Sequence, residues 1–235
     1  MPELEEYSIG DLRLTIGGTS TVGQPTSYSL LLAEHIPDLR GKTVVDLGTG
    51  SGLLGIVAAK RGAAKVYVLD TYPAAIDVAL NNAALNGVAH CFVQVPTGKE
   101  MLPLPAGERV DMVICNPAQL PLPEPDSAHS PFYAGPDGRQ MIEGVIRAAP
   151  ERLTPGGRLL MAHNSLADAS KSMGLLHSLG FEVSVLAEND LPFRPFIKRD
   201  WLDKLGGVDK GLYSLRDGQP YETIHVLEGR LKPNC

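Results

Sequence analysis

Four glycines and two carboxylates carry the first chemical signal in this 235-residue chain. Val44-Val45-Asp46-Leu47 runs directly into Gly48-Thr49-Gly50-Ser51-Gly52, and Gly55 follows in a segment that reads as a helix. Strand, glycine turn and helix in that order let backbone N–H groups approach a ligand closely, because no side chain stands in the way. Gly50-x-Gly52-x-x-Gly55 satisfies the dinucleotide pattern by letter. Asp46, two positions before Gly48, argues for a different occupant, since a carboxylate there repels a pyrophosphate and suits an ammonium or sulfonium. Asp70 lies 24 residues further on, at the end of a second β-branched run, where an acid can accept from both hydroxyls of a ribose. Taken alone, Asp70 would also serve as a cap ahead of Pro73. Asn116-Pro117 closes a further apolar run. The pair is a common turn former, but its place after a strand makes Asn116 a candidate for chemistry.

These residues need elements to hold them, and the chain supplies a regular alternation. Runs at Thr43–Leu47, Lys65–Asp70, Cys91–Val95, Val110–Cys115, Arg158–His163, Phe181–Ala187 and Tyr221–Leu227 read as strands. Leu53–Lys60, Pro73–Asn86, Gln140–Arg152 and Ala167–Leu179 read as helices, stopped by glycine or Pro-Gly signals. Strands that alternate with helices mean βαβ units and a mostly parallel sheet covered on both faces, an α/β fold. Ahead of them, Tyr7–Ile16 reads as a strand or small hairpin, and Thr26-Ser27 caps a helix that Pro37 ends. Residues 117–136 carry six prolines and form a loop at the carboxyl edge of the sheet, where open α/β sheets bind ligands. Residues 191–220 form an insertion with the sole tryptophan, Trp201, and a short charged helix at Arg199–Leu205.

The glycine loop with its downstream acid resembles motif I of class I S-adenosylmethionine-dependent methyltransferases. Asp111-Met112-Val113-Ile114-Cys115-Asn116-Pro117-Ala118-Gln119 is similar to their D-x-x-x-x-N-P-P-Y element, which serves methylation of planar nitrogens. Such a nitrogen has a delocalised lone pair and attacks poorly. An Asn side-chain oxygen and the following proline carbonyl can hold its NH₂ toward the methyl, so catalysis is mainly alignment and desolvation. Three further segments, Gln24–Leu32, Ala134–Arg139 and Leu153–Leu159, resemble the short HemK-type glutamine methyltransferases, and the similarity runs from about residue 22 to 189. Two departures stand out: Gln119 replaces the aromatic residue of the acceptor element and Ala118 its second proline. The acid that usually follows the third strand is also absent, leaving Gln94 or Thr97 to serve the adenine.

The resemblance implies a Rossmann-like seven-strand sheet in one domain over residues 1–235. Residues 1–40 would be a strand and helix lid, 41–189 the cofactor-binding core, 190–220 a substrate-recognition insertion and 221–235 the last strand. It implies S-adenosylmethionine held by Ser29, Asp46, Gly48, Thr49, Gly50, Gly52, Asp70, Thr97 and Asn116, with Asn116 and Pro117 catalytic. Gln119, His129, Tyr133, His163 and Trp201 are the candidates for contact with the acceptor. His163 is also readable as a satisfied structural histidine.

Composition trims the alternatives. A formal charge of −6 argues against a nucleic-acid partner, since phosphate neutralisation needs clustered Lys and Arg. Cys91, Cys115 and Cys235 are too few and scattered for a disulfide frame or a zinc site. The acidic amino terminus lacks a signal-peptide pattern and no apolar stretch reaches membrane-span length, so a cytoplasmic chain without a membrane partner is expected. The acceptor would be a small molecule or a protein. A second copy of the chain, or the small zinc-binding activator on which short HemK-type enzymes can depend, fits as partner. Rival readings are an O- or C-methyltransferase, a non-catalytic cofactor-binding subunit and an NAD-linked oxidoreductase.

Overall fold

The computed structural model describes residues 3–96, 98, 100–123 and 133–233. Two antiparallel strands, β1 (Glu3–Ile9) and β2 (Leu12–Gly18), open the chain as a hairpin, with Gly10 in the left-handed region at the turn. Helix α1 (Ser27–Glu34) follows, its first turn capped by the Thr26 side chain accepting from the Ser29 N–H. The main sheet then forms from β3 (Thr43–Leu47), β4 (Lys65–Leu69), β5 (Phe92–Gln94), β6 (Val110–Cys115), β7 (Leu153–Asn164), β8 (Phe181–Pro192), β9 (Ser214–Arg216) and β10 (Gln219–Leu231). Between them lie α2 (Leu53–Lys60), α3 (Pro73–Leu85), α4 (Gln140–Arg152), α5 (Ala169–Ser178) and α6 (Arg199–Leu205).

Seven strands follow one path, β5-β4-β3-β6-β7-β10-β8, and β9 adds a short eighth beside β10. The strands from β5 to β7 are parallel, and β10 runs antiparallel to both its neighbours. Strand order reverses between β3 and β6, which places the ligand crevice of an open α/β sheet there. Alternate residues of each central strand feed two cores. Val44, Met112, Ile114, Leu160 and Ala162 pack under α1, α2 and α3, whereas Val45, Val113, Leu159 and Met161 pack under α4 and α5. The hairpin is fastened to α3 by two buried amides. Asn82 exchanges bonds with the Gly17 backbone at 2.8 and 2.9 Å, and Asn86 does the same with Thr15 at 3.1 and 2.8 Å.

The antiparallel end departs from the sequence reading. β7 begins at Leu153 rather than Arg158, β8 runs on to Pro192 rather than stopping at Ala187, and β10 extends from Gln219 to Leu231. Pairing of β8 with β10 from Phe181↔Leu231 to Pro192↔Tyr221 satisfies backbone groups that the polar side chains gave no reason to assign to a strand. The insertion is accordingly shorter. It packs Phe193, Ile197, Leu202, Leu212 and Tyr213 against Leu120, Leu122 and Leu166 in a third apolar cluster.

Candidate active site

Three neighbouring strands end level with one another: Leu47 is in register with Leu69 on one side and with Cys115 on the other. Gly48, Asp70 and Asn116 are the next residues of each, so register alone brings the glycine loop, the acid and the acceptor element to one edge. They line a cavity of about 540 Å³, together with residues 21–26 and Tyr28 and Ser29 of the amino-terminal segment. A second cavity of about 390 Å³ shares Gly48, Asp70, Asn116 and Pro117 and continues over Leu69, Met101, Met141 and Val145.

The loop is held from two sides. Asp70 accepts the Gly50 N–H at 3.0 Å and the Tyr72 N–H at 2.9 Å, leaving further lone pairs of its carboxylate toward the cavity. Gly48 and Thr49 both donate to the Leu69 carbonyl. Asp46 stands behind the loop and does not line the cavity. Its Oδ2 accepts the Thr49 hydroxyl at 2.7 Å and the Gly55 N–H at 2.9 Å, while Oδ1 has no partner among the described residues. This corrects the expectation that Asp46 contacts the ligand: strand alternation turns it under α2, on the face of Val44 rather than of Val45. Burial pushes its carboxyl up to about 6, with the Asp70 charge adding to the effect.

Each glycine has its own reason. A Cβ on Gly55 would lie 3.0 Å from Asp46 Oδ2, so a side chain there would crowd the buried carboxylate. Gly52, at φ +85°, would meet the Ala79 Cα of α3 at 2.9 Å. Gly48 and Gly50 also have positive φ, but the position of a Cβ on Gly48 is open space and that on Gly50 nearly so. Their bare backbone forms a floor of the cavity.

At the acceptor end, Asn116 Nδ2 donates to Ser29 Oγ at 3.0 Å, which turns Oδ1 away from α1. Gln119 is buried yet lines the same cavity. Its Nε2 donates to the Pro117 and Ala162 carbonyls, each at 3.2 Å, and lies 3.5 Å from Asn116 Oδ1. Its Oε1 accepts the Asn164 N–H at 2.5 Å. Asn164 Nδ2 in turn donates to the Tyr28 hydroxyl and to the wholly buried Glu222 carboxylate. Arg194, from the insertion, caps this network, with Nη2 3.0 Å from the Tyr28 hydroxyl and Nε 3.3 Å from Glu222. Burial and the neighbouring Glu222 raise the Tyr28 phenol far above its ordinary range.

Other sequence candidates fall elsewhere. His163 points into the α5 side of the sheet. One ring nitrogen is 2.8 Å from the Asn164 carbonyl and the other 2.8 Å from Ser172 Oγ, and burial pushes the imidazole down to about 3. It is a structural histidine, and its neighbour Asn164 faces the cavity instead. Trp201 does not line the cavity. Its indole N–H donates to the Pro136 carbonyl at 2.7 Å and ties α6 to the turn before α4. Tyr133 packs with the third apolar cluster and bridges Leu120 of the cavity wall, but does not itself line either cavity. Thr97 and His129 lie outside the described residues, and Gln94 is exposed on β5 without lining either cavity. The sequence reading gave no role to Tyr28, although it lies in the Gln24–Leu32 segment, nor to Arg194 and Glu222, which carry no motif, nor to Glu100, an acid on the wall of the second cavity.

Comparisons with known proteins place the chain in a methyltransferase family. A family model described as ribosomal protein L11 methyltransferase (PrmA) matches residues 18–148. The chain belongs to this methyltransferase family. It is 32% identical over 176 residues to a chain of Methanocaldococcus jannaschii named a putative protein N5-glutamine methyltransferase, a match spanning 73% of this chain and 87% of that one. It is also 32% identical over 200 residues to the release factor glutamine methyltransferase of Mycolicibacterium smegmatis, spanning 80% and 69% of the two chains. The solved complex of E. cuniculi Mtq2 and Trm112, responsible for methylation of the eRF1 translation termination factor, has the same fold. Its TM-score is 0.58 at 19% identity, over 89% of this chain and 98% of that one.

This methyltransferase uses S-adenosylmethionine, and the residues present fit that cofactor. The open floor at Gly48 and Gly50 leaves room that a side chain would fill. The N–H groups of Gly48, Thr49 and Gly50 are already donated, so the pyrophosphate of a dinucleotide would find those donors committed and Asp70 facing it. A cation suits the same place, beside Asp70 and in front of the buried Asp46.

Proposed function

We propose that this methyltransferase transfers the methyl group to the side-chain amide nitrogen of a glutamine in a peptide or protein. The observation that carries the reading is the seat formed by the Pro117 carbonyl and Asn116 Oδ1, which already takes an amide NH₂, that of Gln119. The names of the archaeal and mycobacterial relatives support the same acceptor chemistry.

Within this proposal Asp70 accepts the ribose hydroxyls, the floor at Gly48 and Gly50 underlies the cofactor, and the apolar second cavity receives the adenine. The segment 21–29 covers the first cavity, and Ser29 sets the direction of Asn116. When bound, S-adenosylmethionine supplies an electrophilic methyl on a sulfonium. Asn116 Oδ1 and the Pro117 carbonyl accept the two amide hydrogens and fix the amide plane, so that one π face of the nitrogen is presented to the methyl. Leu120 and Ala118 keep water from the acceptor nitrogen, which removes competing hydrogen bonds without calling for a strong base.

The test is transfer of labelled methyl from S-adenosylmethionine to a glutamine-containing peptide, with the modified atom located by mass spectrometry. Label on the side-chain nitrogen is expected. Label confined to hydroxyl or carbon positions across a panel that includes the peptide overturns the reading.

A further inference from the structure

Gln119 puts a primary amide where the acceptor amide belongs. The Asn164 N–H donated to Oε1 fixes which end of this amide faces the seat, because the reversed orientation would set donor against donor. Nε2 therefore faces the Pro117 and Ala162 carbonyls and Asn116 Oδ1. Asn116 is held in the matching orientation by Ser29, and Asn164 is held in place by Tyr28 and Glu222. The arrangement is built into the fold across α1, β6, β7 and β10. The residue is only 7% exposed, yet it borders the 540 Å³ cavity, which gives the side chain somewhere to turn.

We propose that Gln119 is a tethered stand-in for the acceptor, and that an incoming primary amide exchanges with it on Pro117 and Asn116. The inference rests on the amide-nitrogen reading above. The newcomer brings the two N–H groups that Gln119 withdraws from Pro117 and Asn116, whereas the Ala162 carbonyl and the Asn164 N–H give up their bonds to Gln119. An alcohol, ester or secondary amide brings fewer donors and leaves one buried acceptor empty, which costs roughly tenfold to a hundredfold in affinity. The same arithmetic applies after reaction. An N-methylated amide has lost one N–H, so Gln119 outcompetes it, returns to the seat and expels the product before a second transfer. Gln119 thereby lowers the affinity of every occupant by the same factor and hastens release of the methylated product, while the acceptors on Pro117 and Asn116 discriminate between primary and secondary amides.

The experiment uses the full chain saturated with S-adenosylhomocysteine and two probes: N-acetylglutamine N-methylamide, with one primary amide, and its side-chain N-methylated counterpart. Calorimetry on the wild type is expected to show weak binding of the first and about tenfold weaker binding of the second. Gln119→Ala should bind both probes at least about tenfold more tightly, with the ratio between them kept and S-adenosylhomocysteine affinity within about threefold of wild type. Gln119→Met, which fills similar space without an amide, should also bind both probes more tightly and guards against a folding defect in the smaller variant. Unchanged affinity for both probes in both variants overturns the proposal alone. If neither probe binds any of the three proteins while S-adenosylhomocysteine binds all, the amide-nitrogen reading falls and this proposal falls with it.

Discussion

Asp46 Oδ2 receives the Gly55 N–H at 2.9 Å, so the acid of the glycine motif binds the first turn of α2 and not the open cavity. The carboxylate acts on the ligand through the loop it shapes. Asp46→Ala should cost about tenfold in S-adenosylhomocysteine affinity although no cavity wall is removed, because the Thr49 turn and the helix start lose their common anchor. Its titration runs the opposite way to that of a paired acid. The folded-state value near 6 lies above the ordinary 3.8, so protonation is favoured in the folded chain. The stabilisation is full below about pH 4 and is lost as the pH rises through about 6. Measured against Asp46→Asn, the wild-type melting temperature should fall over that window; a flat difference contradicts the assignment.

The glycines should separate stability from binding. Gly52→Ala forces a Cβ to within 2.9 Å of Ala79 Cα at a positive φ and should cost on the order of 3 kcal/mol, a drop of roughly 10 °C in melting temperature. Gly50→Ala meets no such wall and should cost only about 1 kcal/mol, yet weaken cofactor binding by about tenfold or more by raising the floor. Thermal melts and S-adenosylhomocysteine titrations of the two variants check the contrast. Equal effects of both on melting would contradict it.

His163 should matter to acid stability and not to the chemistry. Its folded value near 3 lies below the ordinary 6.5, so its stabilisation is complete above about pH 6.5 and erodes as the pH falls toward 3. His163→Gln, which no longer titrates, should flatten that acid limb of the stability curve while leaving cofactor affinity at neutral pH near that of wild type. A variant that folds normally but has lost methyl transfer would show that the histidine does more than pack.

The parallel half of the sheet is legible in the sequence because strands buried on both faces are short apolar runs, and glycine stops mark the helices between them. Thus β3, β6, α2 and α4 fall at the limits their residues predict. The antiparallel end is not legible to the same degree. Residues such as Glu188, Asn189 and Asp190 enter β8 through pairing with β10, which hydrophobicity does not record. At the site, spacing identifies the edge where Gly48, Asp70 and Asn116 meet, but not the direction in which each side chain points. One residue of strand parity separates Asn164, on the cavity, from His163, on the opposite face. The same parity turns Asp46 beneath the loop. Tyr28, Arg194 and Glu222 converge only through tertiary packing, and no local pattern announces that they meet.

The central claim is that Asn116, directed by Ser29, orients an acceptor nitrogen against a cofactor bound at the neighbouring strand ends. The most direct measurement is single-turnover methyl transfer from saturating S-adenosylmethionine to a glutamine-containing peptide, comparing wild type with Asn116→Ala. The predicted result is a rate lower by about a hundredfold, with the S-adenosylhomocysteine dissociation constant within about threefold of wild type. An Asn116→Ala enzyme that transfers methyl to the amide nitrogen at the wild-type rate contradicts the account.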